Sequence, residues 1–483
     1  MTGAASDDGN VVHGVNAAAL KRIHLVGVAG TGMGSFAGML KAKGYEVTGS
    51  DENVYPPMSD MLKAWGIRAL TPYAPSNLDE AKPDLVIIGN VIRRVNPEAT
   101  AVRERRLPQM SFPAAFGELV LAGRHSVVVA GTHGKTTTSA MMAHVLVEAG
   151  RDPSFLVGGV TQNYAGNYRV GQGPHVVVEG DEYDTAYFDK GPKFLHYQPR
   201  TVILTSVEFD HADIYRDLAH YESSFAKLVA LVPAGGVLAV SAQWPNAVAL
   251  ARAGKAKVVT YGEGGEVRAE GLRFSEAGAH FTLVASGVRE AIELPMAGRH
   301  NVENALGVCA AGLSLGLTAA ELRSGLATFR GVKRRQEVRG EVRGVLVLDD
   351  FAHHPTAVKE TVGAVKARWP ARRLWAVFEP RSNTSRRNIH QEPYAHAFTG
   401  AARVSLRVPE KHDKIPEGEG LDVPRLVKDL QAQGFEASGD ASVEALVAEV
   451  AAGAKAGDLV LVMSNGAFGG FIDKLLVALG KGS

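Results

Sequence analysis

The stretch Val127–Met142, VVVAGTHGKTTTSAMM, passes from an apolar strand through a glycine turn straight into a helix. That order constrains the fold more than any other feature of the chain, because a buried strand followed at once by a helix belongs to an α/β unit with a parallel sheet. Within Gly131, Thr132, His133, Gly134, Lys135, Thr136 and Thr137, backbone amides at the helix start can surround phosphate oxygens. Lys135 can neutralise β and γ phosphates, and the Thr136 hydroxyl can ligate Mg2+. A phosphate loop ordinarily carries another glycine five residues before Gly134; Val129 stands there and finishes the strand. The Gly-Lys-Thr tripeptide alone is unspecific, and its place between VVVA and TTSAMMAHVL gives it meaning.

A second glycine-rich turn, GVAGTGMGS from Gly27, lies nearer the N-terminus. Gly27, Gly30, Gly32 and Gly34, with Thr31 and Met33 between them, permit close backbone approach ahead of a helix. Asp51 follows about twenty residues on, where a carboxylate accepts a ribose hydroxyl in dinucleotide sites. A strict GxGxxG does not occur; Gly32-Met33-Gly34 followed by Ala37 comes nearest. Two readings stay open from these residues, a nicotinamide dinucleotide or another pyrophosphate-linked nucleotide such as a UDP-sugar.

A chain of 483 residues exceeds what one hydrophobic core usually serves. Strands at Ile23 to Val28, Tyr45 to Gly49 and Leu85 to Asn90 form a first α/β unit ending near Leu121. Ser126 to Ala130, His175 to Gly180, Thr201 to Ser206, GGVLAVS and Lys257 to Gly262 form a second, followed after Gly265 by a small antiparallel appendage. A third begins after GVKRRQEVRG, with VLVLDD, LWAVFEP, RVSLR and DLVLVMSNG as strands. The fold class is therefore α/β, with three consecutive domains: Rossmann-like over 23–122, P-loop ATPase-like over 123–332 and Rossmann-like over 333–483. Residues 1–22 read as a flexible extension. Lys plus Arg is 52 against 51 for Asp plus Glu, so no bulk charge draws the molecule to nucleic acid or to a membrane surface. The single cysteine, Cys309 in LGVCAAGLSL, excludes an internal disulfide framework and reads as a small buried hydrophobe. With no secretory signal pattern and no apolar run approaching about 18 residues, a soluble cytoplasmic protein is expected.

Glu179 to Asp184, EGDEYD, follows a buried strand, so its carboxylates emerge at the sheet's carboxyl end, where ligands of open α/β sheets collect. Glu179, first after the strand, is a candidate Mg2+ ligand, against the alternative of a solvated acidic turn. EFDHAD follows TVILTS at another strand end; a lone histidine is usually structural, and the neighbouring phosphate loop and Glu179 are what make His211 a candidate ligand. In GRHNVENA, the amides of Asn301 and Asn304 offer the donor and acceptor that an adenine edge requires, although Asn301 also suits a helix N-cap. In DDFAHHP, Asp350 can hold ribose hydroxyls. His353 and His354, lacking a third ligand at telling spacing, point to substrate or nucleotide contact. Arg334 and Arg335 either clamp phosphate on closure or are solvated.

Taken in order, GTHGKTTT, EGDEYD, EFDHADIY, GRHNVENA and DDFAHHPTA resemble the Mur ligase family, ATP-dependent amide-forming enzymes of peptidoglycan metabolism, from about Ile23 onward. The resemblance implies ATP on the second turn and a UDP-sugar, not NAD, on the first. It implies Lys135, Glu179 and His211 as the catalytic group, with Thr136 and Glu179 on one Mg2+ and His211 on another. Asn301 and Asn304 would lie near adenine and Asp350 on ribose, with Arg335 and His353 reaching the nucleotide from the C-terminal domain. GSDENVYPPMSDML, FDKGPKFLHYQPRT, FEPRSNTSRR and VMSNGAFGGF are similar to the branch that joins a murein tripeptide, L-alanyl-γ-D-glutamyl-meso-diaminopimelate, to UDP-N-acetylmuramate through an acyl phosphate in peptidoglycan recycling. The L-alanine-adding branch is the alternative. Arg381, Ser382 and Asn383 are then candidates for the charged distal end of the peptide. The carbamylated lysine of several family members has Phe225 at its place, with Lys227 out of register, so that role is unassigned. A monomer or weak dimer is expected.

Overall fold

The computed structural model describes residues 8–56, 58–212, 214–409 and 415–481. Four sheets follow one another along the chain. The first is all parallel, in the spatial order Asn10–Val11, Pro108–Ser111, Leu85–Ile88, Arg22–Val26, Glu46–Ser50 and Arg68–Leu70. The second runs Lys257–Tyr261, Val237–Ser241, Thr201–Leu204, His125–Ala130, His175–Gly180, Ser154–Thr161 and Gly166–Arg169, with only the last pair antiparallel. A three-stranded antiparallel sheet, Arg268–Ser275, Gly278–Ala285 and Val288–Leu294, follows as the appendage expected after Gly265. The last sheet orders Glu337–Val342, Val345–Asp350, Asp458–Met463, Arg373–Phe378, Arg403–Arg407 and Glu436–Asp440, parallel except for the first pair. The three α/β domains read from the sequence are present. Their central strands are Val, Ile and Leu runs buried on both faces, which is what helices packed on either side of a parallel sheet require.

Two of these strands place the glycine turns. Arg22–Val26 is flanked on one side by the strand that comes next in sequence and on the other by a later one, and His125–Ala130 is likewise flanked by Thr201–Leu204 and His175–Gly180. Each is a point where strand order reverses, opening a crevice at the carboxyl ends. One glycine turn leaves from each.

The chain divides into two compact units. The first runs to Glu208 and adds Ala219–Val267 and Gly307–Gly325; the second comprises Phe209–Leu218, Arg268–Leu306 and the chain from Leu326. Within the first unit the two large sheets are joined by specific contacts. The Ser35 hydroxyl donates to Asn167 Oδ1 at 2.6 Å, Tyr168 meets Trp65 edge-on at 5.1 Å, and the Ser111 hydroxyl donates to Asp189 at 2.6 Å.

One expectation needs correction. Residues 8–22 are not a loose extension: Asn10–Val11 add an edge strand beside Pro108–Ser111, and the amides of Gly14 and Val15 donate to the Glu118 carboxylate at 2.8 and 2.7 Å. Residues 1–7, the remainder of that segment, lie outside the described residues. Among the described residues no helix is long and apolar enough to cross a membrane.

Candidate active site

The second glycine turn is packed against the strand end beside it. Gly131 has φ 135°, a region that L side chains rarely adopt, and a Cβ there would lie 2.2 Å from Thr205 Oγ1 and 2.8 Å from the Ser206 backbone. The turn is tied down by its own polar groups: Thr132 and His133 amides donate to the Ser206 carbonyl and hydroxyl at 3.1 and 2.9 Å. The Thr132 hydroxyl donates to the Glu208 carbonyl at 2.8 Å, and the His133 imidazole meets the Glu208 carboxylate at 2.6 Å. Two amides expected at phosphate are thus used internally. Those that remain begin at Gly134, the N-cap with φ 78°, and continue into the helix Lys135–Glu148, whose first amides have no intrahelical acceptor. Thr137 is buried in that first turn.

Lys135 and Thr136 meet the acidic strand end. Gly180 pairs with Ala130 in the sheet, so Glu179 emerges beside the turn, and Thr136 Oγ1 donates to Glu179 Oε1 at 2.9 Å. The Gly158 amide donates to the other Glu179 oxygen at 2.7 Å. Burial, and then the negative charge of Asp181, push the Glu179 carboxyl above its ordinary range. Lys135 Nζ donates to Glu182 at 2.9 and 3.1 Å and to the Gly131 carbonyl at 2.6 Å. Burial alone would lower the lysine, but Glu182, Asp181 and Glu179 together hold it above its usual value. Glu182, fully buried, also accepts from Tyr221 at 3.2 Å. The sequence reading singled out Glu179 and missed Glu182, although both stand in the same EGDEYD; only the path of the loop decides which carboxylate reaches the lysine. Asp181 lies in the same cluster. Burial would raise it, yet Lys193 at 2.9 Å, Lys135 and the Tyr183 hydroxyl at 2.8 Å keep it low.

The first glycine turn is more open. Gly27 has φ 94°, and its amide and that of Val28 donate to the Ser50 carbonyl. The helix Thr31–Ala42 starts at Gly30, and Met33 is its first buried side chain. Asp51 lies at the end of the neighbouring strand, where one oxygen accepts from the Ala29 amide at 2.9 Å and the other from Glu52 N at 2.8 Å and the Tyr73 hydroxyl at 3.2 Å. Around Gly30 and Gly32 the nearest atoms to an added Cβ are 3.6 and 3.8 Å away. Backbone is therefore accessible along this turn.

The remaining candidates lie in the second unit. His211 has φ 53°, and its amide donates to Asp210 Oδ1 at 2.6 Å. Burial would raise the Asp210 carboxyl, but His211, His354 and His353 hold it far below the usual carboxylate range. Burial brings His353 down to about 4, so its ring is neutral at pH 7; its Nδ1 lies 3.1 Å from the Phe351 carbonyl. Asn301 is not an N-cap: it sits inside the helix Arg299–Ser314 and its amide donates back to the Ala297 carbonyl at 2.7 Å, while Asn304 Nδ2 lies 3.4 Å from Asn301 Oδ1. Asp350 accepts from the Gln336 and Ala352 amides, both at 2.8 Å. Arg335 stands 5.0 Å over the Phe351 ring. Arg334 Nη2 donates to the Ser464 and Gly466 carbonyls, both at 2.7 Å, and the side chain stays about one third exposed. Arg381 is exposed and lies against Gly466, where an added Cβ would be 1.5 Å from Nη1. The Ser382 hydroxyl accepts from the Ser385 amide at 3.0 Å, shaping the turn that carries Asn383. FEPRSNTSRR and VMSNGAFGGF, far apart in sequence, are thus neighbours. Phe225 is fully buried and packs edge-on against Tyr221, while Lys227 is exposed. Cys309 is buried and its thiol is pushed up to about 12, an inert core residue as expected.

The Mur ligase family catalytic domain matches residues 22–124, the Mur ligase middle domain residues 129–312, and the Mur ligase glutamate ligase domain residues 334–466. A UDP-N-acetylmuramate:L-alanyl-γ-D-glutamyl-meso-2,6-diaminoheptandioate ligase of Escherichia coli is 41% identical over 471 residues, 95% of this chain and 98% of that protein. A UDP-N-acetylmuramate:L-alanine ligase of Salinibacter ruber is 38% identical over 391 residues, 80% of each. The crystal structure of a murein peptide ligase from Psychrobacter arcticus aligns with a TM-score of 0.71 at 35% identity, covering 95% of this chain and 98% of that one. With three successive domain matches and a relative at 41% identity along nearly its whole length, the chain belongs to the Mur ligase family.

Proposed function

We propose that this chain joins L-alanyl-γ-D-glutamyl-meso-diaminopimelate to UDP-N-acetylmuramate in an ATP-dependent reaction that passes through an acyl phosphate. The chemistry rests on the meeting of Lys135, Thr136 and Glu179 at adjoining strand ends; the choice of peptide rests on the likeness to the Escherichia coli ligase. A hydroxyl and a carboxylate 2.9 Å apart are the hard oxygen donors that Mg2+ favours. Thr136 and Glu179 would hold one ion and His211 a second. Bound Mg2+ would spread the negative charge of the phosphates and lower the repulsion of an anionic nucleophile.

An oxygen of the lactyl carboxylate attacks the γ-phosphorus of ATP and ADP leaves, with Lys135 neutralising charge on the transferring group. The peptide's α-amine, once deprotonated, attacks the activated carbonyl. Collapse of the tetrahedral intermediate expels phosphate and leaves the amide. The first amides of Lys135–Glu148 bind phosphate, and the first glycine turn with Asp51 binds the UDP-sugar. Asn301, Asn304, Asp350, Arg335 and His353 are assigned to the nucleotide, and Arg381, Ser382 and Asn383 to the peptide. A cytoplasmic location goes with this reading.

The test is phosphate release from ATP and Mg2+ with UDP-N-acetylmuramate, comparing tripeptide with free L-alanine, and mass spectrometry of the product. Tripeptide-dependent release with a UDP-muramyl tripeptide is expected. Release with alanine alone would move the chain to the activity of the Salinibacter relative.

A further inference from the structure

Lys193 has no part in the chemistry above, yet it sits between the two glycine turns. The stretch after EGDEYD folds back so that the Lys193 amide donates to the Asp181 carbonyl at 3.0 Å, while His196 and Ser111 both bind Asp189 at 3.0 and 2.6 Å. This brings Lys193, with its side chain 11% exposed, to a place where its Nζ donates to Asp181 Oδ2 at 2.9 Å. The same nitrogen lies 4.2 Å from the centroid of the Tyr183 ring and 6.0 Å from that of Phe112. Phe112 in turn borders the first glycine turn, since an added Cβ on Gly32 would be 3.8 Å from its ring. On the other side, Asp181 adjoins Glu182, the partner of Lys135. Gly32, Phe112, Lys193, Asp181, Glu182 and Lys135 therefore form a continuous path inside one compact unit.

An ammonium carries three donors. Here, among the described residues, Asp181 is the one hydrogen-bond acceptor for Nζ, with the Tyr183 and Phe112 rings beside it. A cation so withdrawn from solvent gains from a further anionic oxygen. The sugar nucleotide proposed above has one to offer. Its diphosphate end belongs to the first turn and its carboxylate must reach the γ-phosphate at the second.

We infer that Lys193 binds the lactyl carboxylate of the sugar nucleotide and holds it for attack on ATP, making it a specificity-determining residue of the reaction. The inference rests on the function proposed above. The carboxylate joins Asp181 on the ammonium, and its charge is lost when the acyl phosphate forms, so the hold weakens as the reaction proceeds.

Calorimetric binding of UDP-N-acetylmuramate and of UDP-N-acetylglucosamine, which lacks the lactyl carboxylate, tests this with the wild type, Lys193→Met and Lys193→Arg. Lys193→Met should lose about tenfold or more in affinity for the muramate and nothing for the glucosamine, with Lys193→Arg between. Where the single variant melts early, Lys193→Met combined with Asp181→Asn removes both charges and should show the same loss of discrimination. Equal weakening of both sugars, or none for either, overturns the inference and leaves the lysine as a structural partner of Asp181. Ligation by the wild type separates the two levels. If it makes no UDP-muramyl tripeptide, the function and the inference fall together; if it does and the methionine variant still discriminates, only the role of Lys193 falls.

Discussion

The two glycine turns leave from equivalent strands, each at a reversal of strand order, yet they are built in opposite ways. The first is held from outside by the Asp51 carboxylate and leaves Gly30 and Gly32 bare. The second is pressed against Thr205 and Ser206, uses two of its amides internally and carries its own counter-ion, Glu182 on Lys135. A ligand at the first turn meets open backbone, whereas a phosphate at the second must draw Lys135 away from an existing partner. The lysine turn is therefore a preorganised site with a competitor in place, and rigidity there comes from packing, not from the glycines.

The comparison breaks most sharply at Lys135. Lys135→Ala should lower ligation by about 10^3-fold or more, by removing a cation placed where charge develops, while the far-UV circular dichroism keeps its wild-type shape. Turnover near the wild-type rate would refute the assignment of ATP to this turn. Gly131→Ala comes next. With φ 135° and backbone atoms 2.8 Å from the new methyl, the strand end has to move, and a loss of about 2–4 kcal/mol in denaturant unfolding is expected along with ATP binding. A variant with unchanged stability would mean that the turn is looser than its contacts imply.

Glu182→Gln sharpens the same contrast at smaller scale. Removing the competitor's charge weakens the hold on Lys135, so the protein without nucleotide should lose about 1–2 kcal/mol. The rise in melting temperature on adding ATP should exceed that of the wild type. A smaller ATP-induced rise would show that Glu182 assists the nucleotide and does not oppose it.

The contrast between the turns also marks how far sequence reasoning reached. Most interior strands were legible because they are Val, Ile or Leu runs ending in a turn, though Pro108–Ser111 and Ser154–Thr161 were not. Thr136 and Glu179 could be brought together because both stand at the carboxyl ends of adjacent strands. Edge strands were less so: Lys257–Tyr261 was legible from its KVVTY run, but others were not. Glu337–Val342 alternates charged with apolar residues and reads as part of a linker, and Asn10–Val11 and Glu436–Asp440 carry no apolar run, since a strand with one neighbour has less to bury. Nor was the meeting of Lys193 with Asp181, which depends on how a loop returns, or the use of the Thr132 and His133 amides on Ser206, which depends on a strand end about seventy residues away.

The smallest effect is the most discriminating for the first turn. Gly30 has φ −67° and ψ 140°, an ordinary extended conformation, and the nearest atom to an added Cβ is the Gly27 carbonyl oxygen at 3.6 Å. Gly30→Ala should therefore leave stability within about 1 kcal/mol of the wild type, with a slight gain from the stiffer unfolded chain. The new methyl nevertheless stands where a diphosphate would approach the helix start, so the KM for UDP-N-acetylmuramate should rise roughly fivefold, equivalent to about 1 kcal/mol, while the KM for ATP stays put. A rise confined to ATP would exchange the roles of the two turns. A variant unaltered in both would take the sugar nucleotide away from this turn altogether, because a backbone that a phosphate contacts closely does not accept a methyl without notice.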